Sequence, residues 1–314
     1  MPKYKQIDLS KVKTISIKKR KSKVQFRDFA EVFNPKKQSF SAFVKSFPHI
    51  LVAEDLRQFV NDVVTSRKRK KPIIALIGAH VIKVGLAPLI IDLLQRRIIT
   101  GLAMNSAAAI HDVETALFGK TSEDVEENIT DGTFGMSKET GEFINGTLGL
   151  AMITGDIGYG EALGRALLHA PHRNVSIIST CYRLGVPVTV HAAIGTDIIH
   201  QQPTMDGAAT GEMSFRDFKV LCHLVKDLRG GGVVMNIGSA VILPEVFLKA
   251  LTVARNLGYK VRGFVTANFD MIQHYRPRMN VVLRPTKNSG KGYMFTGHHE
   301  IMIPLLCAMI KDRL

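Results

Sequence analysis

Imidazole and carboxylate groups gather in this chain near the places where strands are expected to end. His200 lies three residues after Asp197, and His111 is followed directly by Asp112. A neutral imidazole titrates near neutrality, so it can carry a proton as a carbon–nitrogen or carbon–oxygen bond is oxidised. His200 and His111 are therefore the leading acid–base candidates, against a hydrogen-bonded structural role for each. His80, His191, His274, His298 and His299 lie in the same kind of position. The run His298-His299-Glu300 offers ligand atoms, but adjacent side chains diverge on a strand or a helix and no partner at metal-ligand spacing accompanies it. No metal is expected.

A second group of residues suits a dinucleotide, which needs close backbone approach, donors for its pyrophosphate and an acid for a ribose hydroxyl. Asn105, Ser106 and Ala107, the glycines Gly230, Gly231 and Gly232, and Thr266, Ala267 and Asn268 meet the first two needs together. None of them forms the G-x-G-x-x-G pattern. The segment from Asp270 through His274, Arg276 and Arg278 is polar and irregular. Its two arginines could clamp a phosphate or carboxylate, or the segment could be a surface loop. The 131–135 stretch reads either as a functional loop, with Phe134 packing over a ligand, or as a simple connection.

The elements that must hold these groups follow from hydrophobic pattern. Apolar runs at 73–77, 101–104, 188–192, 233–237 and 261–266 read as strands, and helical patterns follow at 86–97, from about 110, at 215–228 and at 244–256. Apolar strands alternating with crossover helices imply an α/β fold: a Rossmann-like parallel sheet with helices on both faces, whose ligands sit at the carboxyl ends of the strands. Residues 1–71 read as a basic N-terminal arm with a short polar strand and a small helical cap, its helices interrupted at Pro48. Residues 72–314 form the main domain.

Composition bounds the rest. A chain of 314 residues with 46% hydrophobic and 22% charged content can bury one large core. No apolar run spans a bilayer and no secretory leader is apparent, so the cytoplasm is expected and a membrane is not. Three separated cysteines argue against a secreted disulfide framework. The net charge of +15 concentrates at 18–23 and 67–71. No aromatic residue interleaves these runs, so nucleic acid is not the expected partner and solvated arms are, although an anionic partner stays open.

Gly230, Gly231, Gly232, Val233 and Val234 resemble the run that precedes the imine-forming lysine of the deoxyhypusine synthase family, where this chain has Met235. The resemblance continues in order through Gly78, Ala79, His80, Val81 and Gly85, through 102–109, through Thr196 and Asp197, and through 264–268 to Ile303 and Pro304. It implies NAD, held by Ala79, His80, Val81, Asn105, Ser106, Ala107, Asp197, Gly231, Gly232, Thr266, Ala267 and Asn268. Substrate would meet Met235, Asn236, Asp270, His274 and Arg278, with His200, His111 and Asp197 catalytic. The family's paired acids are replaced by Ile110 and His111, which suits an anionic substrate better than a polyamine. The resemblance implies a homotetramer or homodimer. The expected activity is an NAD-dependent transfer on an amine or amino compound without a lysine imine, because a thioether cannot attack carbon. A hydrolase or lyase on the same scaffold, or a non-catalytic NAD-binding protein, are the alternatives.

Overall fold

The computed structural model describes residues 3–314. The chain divides into a smaller unit ending at Glu54 and a larger one from Asp55 to Leu314. Described residues of the smaller unit form two 3₁₀ turns, Ile17–Lys19 and Phe26–Asp28, and the helix α1 (Phe40–Lys45). Ser39 caps α1 by accepting the Ala42 amide at 3.3 Å, and Phe33 and Phe47 pack on Phe43 at 5.1 and 4.9 Å between ring centroids. Among the described residues of the arm the expected polar strand does not form, and no described segment there supplies a ladder for it.

The helix α2 (Leu51–Lys68) runs across the boundary between the units. Sequence pattern groups it with the cap, yet Phe59, Val60 and Val63 are wholly buried. The Phe59 ring lies 5.6 to 5.7 Å from those of Phe269, Tyr293 and Phe295, so this part of α2 is sheet-covering core.

The larger unit is built on six parallel strands: β1 (Ile73–Ile77), β2 (Gly101–Asn105), β3 (Val188–His191), β4 (Val233–Ile237), β5 (Phe264–Asp270) and β6 (Gly290–Thr296). Their spatial order is β3-β2-β1-β4-β5-β6, so the direction of winding reverses between β1 and β4. β1, β4 and β5 are buried at every residue, as unbroken apolar runs in a doubly covered sheet must be. Side chains alternate between faces: Phe264 packs with Phe247 on one face, and Phe269 meets Phe59 on the other.

The helices are α3 (Ala79–Lys83), α4 (Ala87–Gln95), α5 (Ser106–Phe118), α6 (Val125–Asp131), α7 (Lys138–Thr154), α8 (Tyr159–Ala166), α9 (Ile177–Leu184), α10 (Gly207–Lys226) and α11 (Ile242–Asn256). A π-helical segment, Pro277–Leu283, runs into the single turn α12 (Arg284–Thr286), and α13 (His299–Lys311) closes the chain. No helix among the described residues is long and apolar enough to cross a membrane.

Candidate functional site

Because all six strands are parallel, their carboxyl ends share one edge, and a cavity of about 610 Å³ opens there. The first half of the site comes from α5. Asn105, the last residue of β2, caps this helix by accepting the Ala108 amide at 3.0 Å, which aims its first turn at the edge and sets Ala107, Ile110, His111 and Glu114 along the cavity wall. Spacings of three and four place these side chains on one face. Thr121 from the following loop, Thr140 from α7 and Asp197 beyond β3 complete the polar lining.

His111, Thr121 and Glu114 form a relay. The Thr121 hydroxyl donates its single proton to the Glu114 carboxylate, while His111 Nδ1 lies 2.7 Å from the same hydroxyl oxygen. That oxygen must then accept, so Nδ1 carries a proton. Thr140 donates to the other Glu114 oxygen at 3.1 Å. Burial opposes ionisation of Glu114, but hydrogen bonds from His111, Thr121 and Thr140 outweigh it and hold the carboxyl below its ordinary range. The site thus contains a carboxylate held toward its ionised form behind an imidazole.

His200 plays a different part. Its Nδ1 accepts the Gly195 and Asp197 amides at 3.1 and 3.2 Å, which puts its proton on Nε2. That atom is buried without a hydrogen-bond partner, 3.9 Å from Asp197 Oδ2. His200 is absent from the cavity lining and braces the turn that presents Asp197, whose carboxylate also accepts the Ser106 hydroxyl. Gln201 and Gln202 donate to the Phe134 and Gly135 carbonyls at 2.6 and 3.0 Å, so Phe134 is tied down where it forms a wall of the cavity.

At the switch point between β1 and β4 a second polar cluster appears. His299 Nε2 donates to the Phe269 carbonyl at 3.0 Å, leaving Nδ1 buried and unpartnered. Its ring lies 5.4 Å from that of His80. Burial, and then the neighbouring His299, lower the pKa of His80. Ala79 is partly exposed at this edge, whereas Val81 is core.

The remaining candidates lie elsewhere. Gly231 and Gly232 precede β4 and occupy the amino edge of the sheet, opposite the cavity. Met235 sits in the middle of β4 at 1% exposure. Thr266 and Ala267 are interior to β5, and Asn236 donates to Asn268 at 2.6 Å in a buried pair. The arginine clamp does not assemble: Arg276 pairs with Glu245 at 3.3 Å, His274 and Arg278 are exposed, and Asp270 accepts the adjacent Met271 amide. Asp112, next to His111 in sequence, is fully buried and caps α9 through Ser176, Ile177 and Ile178. Burial pushes its carboxyl up to about 6 against those bonds. His191 is buried too, which lowers it to about 3 and keeps it neutral.

Sequence reasoning passed over Glu114, although its spacing from His111 is a legible helical signal. It also took the replacement of the family's acids by Ile110 and His111 to suit an anionic substrate better than a polyamine. The cavity instead carries Glu114, Glu123, Glu139 and Asp197 against Lys83 and Lys120, in a protein of net charge +15.

No family model matches this chain and no curated protein matches it. Among solved structures it is similar to a conserved, provisionally assigned LOR/SDH protein from Methanococcus maripaludis S2, with a TM-score of 0.52 and 14% identity over 82% of this chain and 69% of that one. It is similar to a provisionally assigned deoxyhypusine synthase from Entamoeba histolytica at a TM-score of 0.53 and 10% identity, covering 87% and 93% of the two chains. AgrE, solved as a ternary complex with ornithine and NAD+, gives 0.52 and 10% over 82% of this chain. The match spans only 32% of AgrE. At these identities the likeness establishes a shared fold.

Proposed function

We propose that the protein is an NAD-dependent enzyme acting on a small amine or amino compound, with His111 as the base. The observation that carries this reading is the His111–Thr121–Glu114 relay in the wall of an acidic cavity at the strand ends. The fold it shares with AgrE, whose structure holds NAD+, supports the cofactor. So do this chain's own atoms: Asp197 offers a carboxylate to a ribose hydroxyl, Ser106 and Ala107 lie at the amino end of α5, and the unpartnered His299 Nδ1 lies at the switch point. NAD, when bound, supplies a hydride acceptor.

The residues then divide the work. Glu139 and Glu114 attract a substrate ammonium, and Phe134 and Ile110 shield it from water. His111 Nε2 takes the proton released as the carbon bearing nitrogen or oxygen is oxidised. Thr121 and Glu114 hold the ring in place and stabilise the imidazolium that results. Met235 has no nitrogen to form an imine and lies outside the cavity, so group transfer, where it occurs, goes directly to the acceptor. We further propose a cytoplasmic homodimer or homotetramer, in keeping with the resemblance. Incubation with NAD and a panel of diamines, polyamines and basic amino acids tests the reading. Reduced nicotinamide should accumulate, or label should pass between amines, with at least one of them; inertness toward the whole panel with NAD demonstrably bound would leave a binding protein.

A further inference from the structure

The parallel sheet that gathers the cavity at one edge gathers a different chemistry at the other. The segments leading into β1, β2, β4, β5 and β6 (67–71, 96–97, 226–231, 260–262 and 287–289) contain twelve lysines and arginines and one carboxylate, Asp227. They are stitched into one surface. Arg67 donates to the Arg96 carbonyl at 3.3 Å, Lys71 to the Arg229 carbonyl at 3.2 Å, and the Gly230 amide to the Arg262 carbonyl at 2.9 Å. The Gly263 amide continues the series to Ser289 Oγ at 3.2 Å. At strand spacing, the distance from β2 to β6 is about 19 Å.

A depression of about 310 Å³ lies in this edge, lined by Arg255, Lys260, Arg262 and Arg284 with Asn288 and Ser289, and by no carboxylate among the described residues. Burial, and then the charge of Arg262, hold the Arg255 guanidinium below its ordinary value. Tyr259 stands in the same lining, 47% exposed, with Lys226 Nζ 5.6 Å from its ring centroid. Helix C-termini also collect at this edge and favour a cation each. That effect covers Arg67 and Lys68 in the last turn of α2 and Lys287 at the end of α12, but not Arg69, Lys70 and Lys71 in succession beyond α2, nor Arg262 beside β5.

We infer that the amino edge of the sheet binds single-stranded nucleic acid, its phosphates along the stitched basic segments and a base stacked on Tyr259. Arg96 is paired with Asp92 at 2.7 Å; phosphates would satisfy the cations of this edge that have no such partner, and an exposed ring flanked by cations is a sequence-tolerant stacking platform. This surface is remote from the cavity and independent of the activity proposed there.

Fluorescence anisotropy with a labelled oligouridylate of about 16 nucleotides tests it on the full chain. Affinity should fall linearly with the logarithm of salt, and each phosphate contact removed should reduce the slope by about 0.7. Lys260→Glu with Arg262→Glu should weaken binding at least about tenfold with a shallower slope, and Tyr259→Ala should weaken it about fivefold to a hundredfold at an unchanged slope. Lys138→Glu, a site with a 76% exposed side chain on α7, makes the same charge change as either single reversal and should have no effect. Absence of binding at low salt overturns the inference. So does equal weakening by Lys138→Glu, which would mean bulk charge alone, and so does preference for phosphatidylserine vesicles lost in the same variants, which would assign the edge to a membrane.

Discussion

Glu114 decides what His111 does. With the carboxylate ionised and tied to Thr121, the imidazole keeps its proton on Nδ1 and gains stability when it becomes positive. His111→Gln should lower turnover by about a hundredfold to ten-thousandfold, the range spanned by positioned general bases. Glu114→Gln should leave cofactor binding intact but move the acidic limb of the pH–rate profile, the limb on which a general base loses its proton, because the imidazolium has lost its charged partner. An unmoved profile in Glu114→Gln, read alongside a normal far-ultraviolet spectrum, would remove the relay from the mechanism. His111 was legible as a chemistry-bearing residue from type and position, and Asp197 through the family resemblance. Thr121 and Thr140 were not, since a loop and a distant helix bring them to Glu114.

At the scale of elements, the loop that carries Phe134 is held by geometry only glycine allows. Gly135 has φ +73°, and a Cβ there would stand 2.6 Å from Ile198 Cβ. Gly135→Ala should cost about 1–3 kcal/mol in strain, lower the melting temperature and raise KM more than it lowers kcat, as the Phe134 wall lifts from the cavity. Unchanged melting and KM would show that the loop is not part of the site. The apolar runs of β1, β2 and β4 announced themselves in the sequence. The end of β5 did not, because Asn268 and Asp270 look like loop residues until Asn236 and Gln273 are seen to satisfy Asn268. β6 did not either: it is an edge strand that opens Gly-Lys-Gly and buries only Tyr293 and Phe295. Gly231 and Gly232 were read at the wrong end of the sheet for a physical reason, since a glycine turn before a strand and one after it have the same composition. Only topology tells them apart.

The whole molecule separates charge, with an acidic cavity at the carboxyl edge and the basic segments at the amino edge. Its stability should also depend on pH in a definite direction. Burial raises the Asp217 carboxyl from 3.8 to about 8, against bonds from the Val190 and Gly160 amides at 2.6 and 2.8 Å. The folded state therefore keeps a proton that the unfolded chain releases, and stability falls as pH rises toward 8. Below 6.5 this is opposed by His191, which stays neutral when folded and charges when unfolded. Asp217 alone acts between 6.5 and 8, where the loss is about 2 kcal/mol at 1.36 kcal/mol per pH unit. Denaturant midpoints across that window should decline in the native protein and stay level in Asp217→Asn; a parallel decline in both would place the titrating group elsewhere.

The central claim, that the carboxyl edge holds NAD beside the His111 relay, is tested most directly by calorimetric titration of NAD into the native protein and Asp197→Ala. The native protein should bind with a single class of sites, and Asp197→Ala should bind at least about tenfold more weakly, the loss of one hydrogen bond to a charged group. No heat with the native protein at millimolar NAD, or equal affinity in the variant, would contradict it.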